Sequence, residues 1–215
     1  GGGRGALERF APEAAVALTD LEAIVWRRID LDLIDLAMRI VGSVHDFEQM
    51  FRPREIQDSP WHGRRAEAWR EFPDLSDDHK RVMAFVEQFT LDVSSITDEM
   101  RKDLFEVLGD RATEFAQGVY VVDVVQRVRF VMDRIFGLSF GRATTKTKVL
   151  GPDATVWNGI EELIRIVPGL QALDPVMTEL VRLRGARQHQ CRFCKSVRSR
   201  SALLAGANDE TFAAI

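Results

Sequence analysis

No stretch of this 215-residue chain approaches the roughly 18–20 consecutive apolar residues that a bilayer-spanning helix needs. No secretory signal is legible either. The opening Gly-Gly-Gly-Arg-Gly leads into acidic and aromatic residues, not an apolar core with a small-residue cleavage site, so a cytoplasmic location is expected. Cysteine is scarce: two residues, three positions apart, cannot build the disulfide framework of a small secreted protein. An excess of positive charge is also missing. Twenty-nine Lys and Arg stand against 33 Asp and Glu, a net charge of −4, so the basic footprint of a general nucleic-acid binder is absent. No nucleic-acid or membrane partner is expected.

The strand–turn–strand rhythm of a β domain is absent too, and what is present is helical. Ser76 followed by Asp77 and Asp78 reads as a capped helix start, with Val82, Phe85, Val86 and Phe89 on one face. Thr97 opens another helix, through Met100, Leu104, Val107 and Leu108, with Gly109 as its stop. Arg111–Phe136 continues the pattern through Phe115, Val119, Val122, Val125 and Phe130. Its β-branched run at Val119–Val125 leaves a strand as the local alternative, but the periodicity outlasts a strand. Leu21–Val44 also reads as helix, with Ile24, Leu31, Ile34, Met38 and Val41 on roughly one side. Pro53, Pro60, Gly63 and Pro73 break 51–73 into a loop and a short helix near Arg64–Arg70. The fold class is all-α. Residues 1–140 form one helical unit, Gly, Thr and Pro among basic residues make 141–152 a linker, and 153–215 carry the cysteines.

Asp174-Pro175 starts a helix with Val176, Leu180 and Leu183 inward and Glu179 at the edge of that stripe. Then come Cys191-Arg192-Phe193-Cys194 and a second helical pattern through Val197, Ser201 and Leu204, ended by Gly206. Asn208 and Asp209 cap a further helix. Two cysteines at i and i+3 near a helix start face each other. The helix end, Arg192, Lys195 and Arg198 would favour a thiolate, the species that attacks a peroxide or a disulfide. A carboxylate one helix away could accept the thiol proton.

Glu179, eleven residues, the Cys191/Cys194 pair, and a small-residue helix closing on Leu-Ala-Gly-Ala-Asn resemble the active-site region of the AhpD-like (carboxymuconolactone decarboxylase-like) proteins. The resemblance implies an all-helical bundle and a peroxidase or disulfide reductase site. Cys194 would attack, Cys191 would resolve and Glu179 would relay a proton. It implies no cofactor and no metal, a dithiol reductant such as a lipoyl or thioredoxin-like protein, and a homo-oligomer. The family's His, three residues beyond the pair, is Arg198 here, and an always-charged guanidinium cannot shuttle protons, though it can hold a thiolate. His189 is then the substitute base. Leu75–Lys80 and the helices to about Phe136 resemble the helical half of the same family. Asp30–Arg54 also lies on Asp174–Arg198 without gaps, setting Asp35 on Glu179, His45 on His189, Phe47 on Cys191, Met50 on Cys194 and Arg54 on Arg198. This suggests two related repeats, the first without cysteines and the second incomplete as given.

Plainer readings stand beside these. The cysteines could be two buried small hydrophobes. Zinc needs four ligands, and Cys191, Cys194 and His189 offer three. Glu179 could be a solvated helix acid paired with Arg182, and the basic run to Arg200 a solvated face. His45, His62 and His79 have no metal spacing. Trp26, Trp61, Trp69 and Trp157 are expected between helices, with Trp61 and Trp69 as alternative pocket-lining residues. The functional alternatives are an assembly or ligand-binding module without turnover, and a lactone-acid decarboxylase, which would need no cysteine pair.

Overall fold

The computed structural model describes residues 6–47, 59–136, 150–169, 173–213 and 215. Among them there are helices and turns and no strand. The chain order is α1 Ala6–Phe10, α2 Pro12–Arg28, α3 Leu31–Val44, α4 Asp77–Leu91, α5 Asp98–Leu108, α6 Ala112–Phe136, α7 Val156–Ile166, α8 Pro175–Gln188, α9 Arg192–Ser196, α10 Arg200–Leu204 and α11 Asp209–Ala213. Ser76 caps α4 by accepting the His79 N–H, and Thr97 caps α5 by accepting that of Met100. Gly109 ends α5 at φ +56°, a conformation only glycine adopts without strain. The β-branched run at 119–125 stays helical within α6, where burial of Val119, Val122 and Val125 decides between strand and helix.

The expected helix over Leu21–Val44 is two helices. The Asp30 carboxylate accepts the N–H groups of Asp32 (3.1 Å) and Leu33 (3.0 Å), stopping α2 and starting α3. The apolar periodicity runs across the break because both helices feed one core, and periodicity alone does not register a cap. In that core α2 lies on α6 and α7, α3 on α4 and α6, and α4 on α5. A 3-10 turn, Ala66–Glu71, buries Trp69. Trp61 stacks on Phe72 and donates its Nε1–H to the Asp32 carbonyl (2.8 Å). Trp157 is different, at 48% exposure: α7 buries Val156, Ile160 and Leu163, and Trp157 lies off that stripe. Across α2 and α6, Glu22 and Arg129 form a buried ion pair at 2.6 Å.

Residues 153–215 divide between two apolar clusters. The buried residues of α7 belong to the large core with α2, whereas Leu183, Ala202, Ala207 and Phe212 form a small second cluster under α8–α11. Residues 141–149 of the expected linker lie outside the described residues.

Two helix boundaries and one turn recur in the register of the gapless overlay. Pro12 to Val156 and Leu31 to Pro175, the starts of α2 and α7 and of α3 and α8, are each separated by 144 positions. α3 and α8 both run 14 residues from an Asp cap, and both end in the same turn. Asp46 and Gln190 sit at φ +53° and +52°. Phe47 N–H then reaches the Gly42 carbonyl at 2.9 Å, as Cys191 N–H reaches that of Ala186 at 3.0 Å. Asp35 and Glu179 are both buried, each paired with an arginine a turn further on. Met50 and Arg54 of the overlay lie outside the described residues.

The α2–α7 contact is close at Gly159, where an added Cβ would lie 2.6 Å from Leu21 Cδ1 and 3.4 Å from Leu21 Cα. Gly159→Val is expected to lower stability by about 1–3 kcal/mol, read as a lower urea midpoint with unchanged slope.

Candidate functional site

Cys191 is placed by the turn that ends α8. Its backbone is fixed by the bond to Ala186, and its side chain begins α9, where Sγ accepts the Cys194 N–H at 3.2 Å. This brings the two α-carbons to 5.3 Å, and the sulfurs form a disulfide. Both cysteines are half-buried, and Phe193 between them is 77% exposed. The reading of the pair as two buried small hydrophobes is therefore replaced by a disulfide at an accessible turn.

The segment after the pair differs from expectation. Instead of one helix from Cys194 to Leu204, α9 stops after five residues and α10 begins at Arg200, capped by Ser199. The break is filled by side chains from α8. Arg182 grips both Glu179 oxygens (2.6 and 2.7 Å), and its remaining donors reach the carbonyls of Cys194 (2.8 Å) and Val197 (2.7 Å). Glu179 Oε1 in turn accepts the Ser199 N–H at 3.0 Å. A helix end leaves carbonyls without partners, and a guanidinium with five donors can take two of them while holding a carboxylate. Glu179 and Arg182 therefore work as one clamp on 194–199.

Glu179 is 1% exposed, deeper than the stripe edge where its spacing put it. Burial pushes its carboxyl upward, but the Arg182 and Ser199 hydrogen bonds and the charges of Arg182 and Arg198 outweigh it and hold it below the usual glutamate range. It is ionised, with both oxygens engaged on Arg182 and the turn's backbone. Arg198 donates to the carbonyls of Lys195 (2.6 Å) and Val197 (2.9 Å) and lies 5.1 Å from the Phe212 ring centroid. His189 is an exposed C-cap of α8, with its backbone N–H on the Gly185 carbonyl at 3.0 Å. The Asp92 carboxyl is held low chiefly by hydrogen bonds from Ser95 and Ser94, with the His189 side chain a minor contributor. The helix-end field expected to act on the thiols is weak, because α9 has five residues.

The structure thus gathers Cys191, Cys194, Glu179 and Arg198 around one turn and sets His189 at its entrance. Arg182, read as no more than a salt-bridge partner of Glu179, is the residue that ties these groups together. Its signal was the Glu–Arg spacing of three on α8. Among the described residues no cluster of three or more His, Cys, Asp or Glu could hold a metal ion. A shallow groove beside α7, lined by Asp153, Asn158, Glu161 and Arg165, does not include the cysteines.

Two outcomes follow. Arg182→Met leaves a buried carboxylate with one backbone donor and is expected to destabilise the 191–199 turn by about 2 kcal/mol, the larger cost of a broken buried pair being discounted because Arg182 is partly exposed. Rapid amide exchange at Ser199 would report it. Because the Glu179 carboxyl is lowered in the folded state, the clamp's contribution is complete above the ordinary pKa of about 4.3 and disappears as pH falls through the lowered value. Protection at Ser199 should fade only in that acidic range, and Glu179→Gln should abolish the pH dependence.

The chain is similar to two curated proteins described as uncharacterized, from Mycobacterium tuberculosis strains H37Rv and CDC 1551 / Oshkosh. Each is 41% identical over 143 residues, which cover 62% of this chain and 48% of the relative. The chain therefore spans about half the length of the curated relatives it matches. No family model matches it. No solved structure matches it with significance.

Proposed function

We propose that the chain is a thiol–disulfide oxidoreductase of hydroperoxidase type, working through Cys191 and Cys194 in the manner of the AhpD-like proteins it resembles. The observation that supports this most is that the pair closes into a disulfide at a partly exposed turn whose backbone is clamped from α8, so oxidation and reduction leave the turn's supports in place. In the reduced state the Cys194 thiolate attacks the peroxide O–O bond. The sulfur takes one oxygen as a sulfenic acid and the alcohol departs with a proton. The Cys191 thiol then attacks that sulfur, the disulfide forms and water leaves. An external dithiol, lipoyl or thioredoxin-like, restores both thiols.

Roles follow from the contacts. Glu179, with both oxygens engaged, anchors the turn, and it accepts a proton only if the Arg182 contact opens. His189, at the entrance, is the alternative base. Arg192 and Lys195, each next to a cysteine in sequence, supply the positive charge nearest the pair along the chain, while Arg198 is held on the carbonyls of Lys195 and Val197. A reducing, cytoplasmic setting suits a dithiol resting state. Met177 and Val181 on α8, with Leu173 just before its cap, are exposed apolar residues that support a homo-oligomer. The second reading, a binding or assembly module without turnover, draws support from the structural employment of Glu179 and Arg198.

The test is turnover of an organic hydroperoxide with dihydrolipoamide as reductant. Cys194→Ser is expected to lose more than about 100-fold in rate. Cys191→Ser should consume a single equivalent and accumulate a dimedone-reactive sulfenic acid. Full activity in Cys194→Ser would refute the assignment, and inactivity of the wild type toward peroxides and disulfides alike would favour the module.

A further inference from the structure

Arginines on the main helical body are mostly neutralised in place: Arg64 pairs with Asp74, Arg101 with Asp98 and Arg165 with Glu162. Around the disulfide this changes. Residues 182–200 carry seven Lys and Arg and no Asp or Glu, while the other 22 Lys and Arg of the chain face all 33 acids. Among the described residues, Arg182 is the one member of this run in an ion pair with a carboxylate. Arg187 and Arg198 are turned onto backbone carbonyls, and Lys195 onto the Gln190 side-chain oxygen. Arg184, Arg192 and Arg200 are exposed, and none of them pairs with an acid among the described residues. Arg192 lies between the two cysteines, and Arg200 opens α10 six positions beyond Cys194. Phe193, beside Arg192 in sequence, is 77% exposed, and Leu204, one helical turn after Arg200 on α10, is 79% exposed.

A segment with an exposed aromatic, an exposed leucine and exposed cations without acidic partners, on a chain otherwise in acidic excess, is complementary to an anionic surface that also has something apolar to bury. Nucleic acid fits it less well. Stacking platforms interleave several aromatics with their cations, whereas this run holds Phe193 alone, and the acidic remainder would repel a polyanion longer than the patch.

We propose that the redox partner of the Cys191–Cys194 pair is a protein whose thiols lie in an acidic segment, docked on Phe193 with its carboxylates against Arg192 and Arg200. This rests on the redox reading above and names its partner. The exchange balances. A partner thiolate attacks Cys194 Sγ, the Cys191–Cys194 bond breaks, and Cys191 departs as a thiolate. The second partner thiolate then attacks the partner sulfur of the mixed disulfide, forming the partner's disulfide and releasing Cys194 as a thiolate. Two electrons pass to the chain, and the two protons of the partner's thiols end on Cys191 and Cys194. Positive charge at the rim raises the encounter rate of such a partner and does little for a neutral reductant.

The experiment uses the oxidised full chain and three dithiol peptides of equal length, flanked by Glu, Gln or Lys. Reduction of Cys191–Cys194 is followed by alkylation and mass spectrometry. Each rate is expressed per thiolate and divided by the rate the same protein shows with dithiothreitol. The Glu-flanked peptide is expected to be about tenfold faster than the Lys-flanked one at low salt. The difference should vanish near ~1 M salt, where the Debye length falls to ~3 Å. In the Arg192→Glu/Arg200→Glu double variant the order should reverse. Equal rates for the three peptides alongside normal reduction by dithiothreitol would overturn the docking proposal alone. So would suppression of the Glu preference by a short oligothymidine at stoichiometric concentration, which would assign the patch to nucleic acid. A pair that dithiothreitol cannot reduce in the native protein would overturn the redox reading together with it.

Discussion

The Glu179–Arg182 pair is the interaction on which the cysteine-bearing part of the chain depends. Among the described residues the second apolar cluster has four buried members, too few to fix the course of the short helices α9 and α10 by burial alone. What fixes them is a carboxylate that is 1% exposed, a guanidinium that reaches two carbonyls, and one backbone N–H that closes the circuit at Ser199. Without that circuit, the segment from Cys194 to Leu204 has the apolar periodicity to continue as one helix. With it, the helix stops and the cysteines sit on a turn braced from behind.

The same helix-and-turn unit occurs earlier in the chain without cysteines. α3 has its Asp cap, its buried acid at Asp35, its His C-cap and its left-handed residue at Asp46, all in the register of α8. Where Cys191 stands in the second unit, Phe47 stands in the first, stacked on Phe130, and His45 is hydrogen-bonded to Asp123 at 2.7 Å. There the turn is an anchor to α6. One backbone solution thus serves packing in one unit and brings two sulfurs together in the other, and the difference lies in the residues that follow the turn.

Much of this was legible in the sequence, for identifiable reasons. Ser76, Thr97, Asp174 and Gly109 carry their chemistry locally, so helix boundaries could be placed from single residues. The shared positions of α3 and α8 were legible because caps and buried acids keep fixed spacing. The break at Asp30 and the break at Val197–Ser199 were not. The first hides within a continuous apolar stripe. The second depends on Arg182 and Glu179 reaching across from another helix, and no local pattern records such a contact. Trp157 escapes the sequence for a related reason, since an aromatic one position off a buried stripe looks buried by residue type alone. The depth of Glu179 likewise follows from what α9 and α10 lay over it.

The claim at the centre is that Cys194 is an activated thiol and not a structural one. Its most direct measurement is the pH dependence of alkylation of the reduced protein, in wild type and in Cys191→Ser. An apparent thiolate pKa well below the ~8.5 of an unperturbed cysteine is the predicted result. A value at or above it, or a thiol inert to alkylation in the folded protein, would contradict the account.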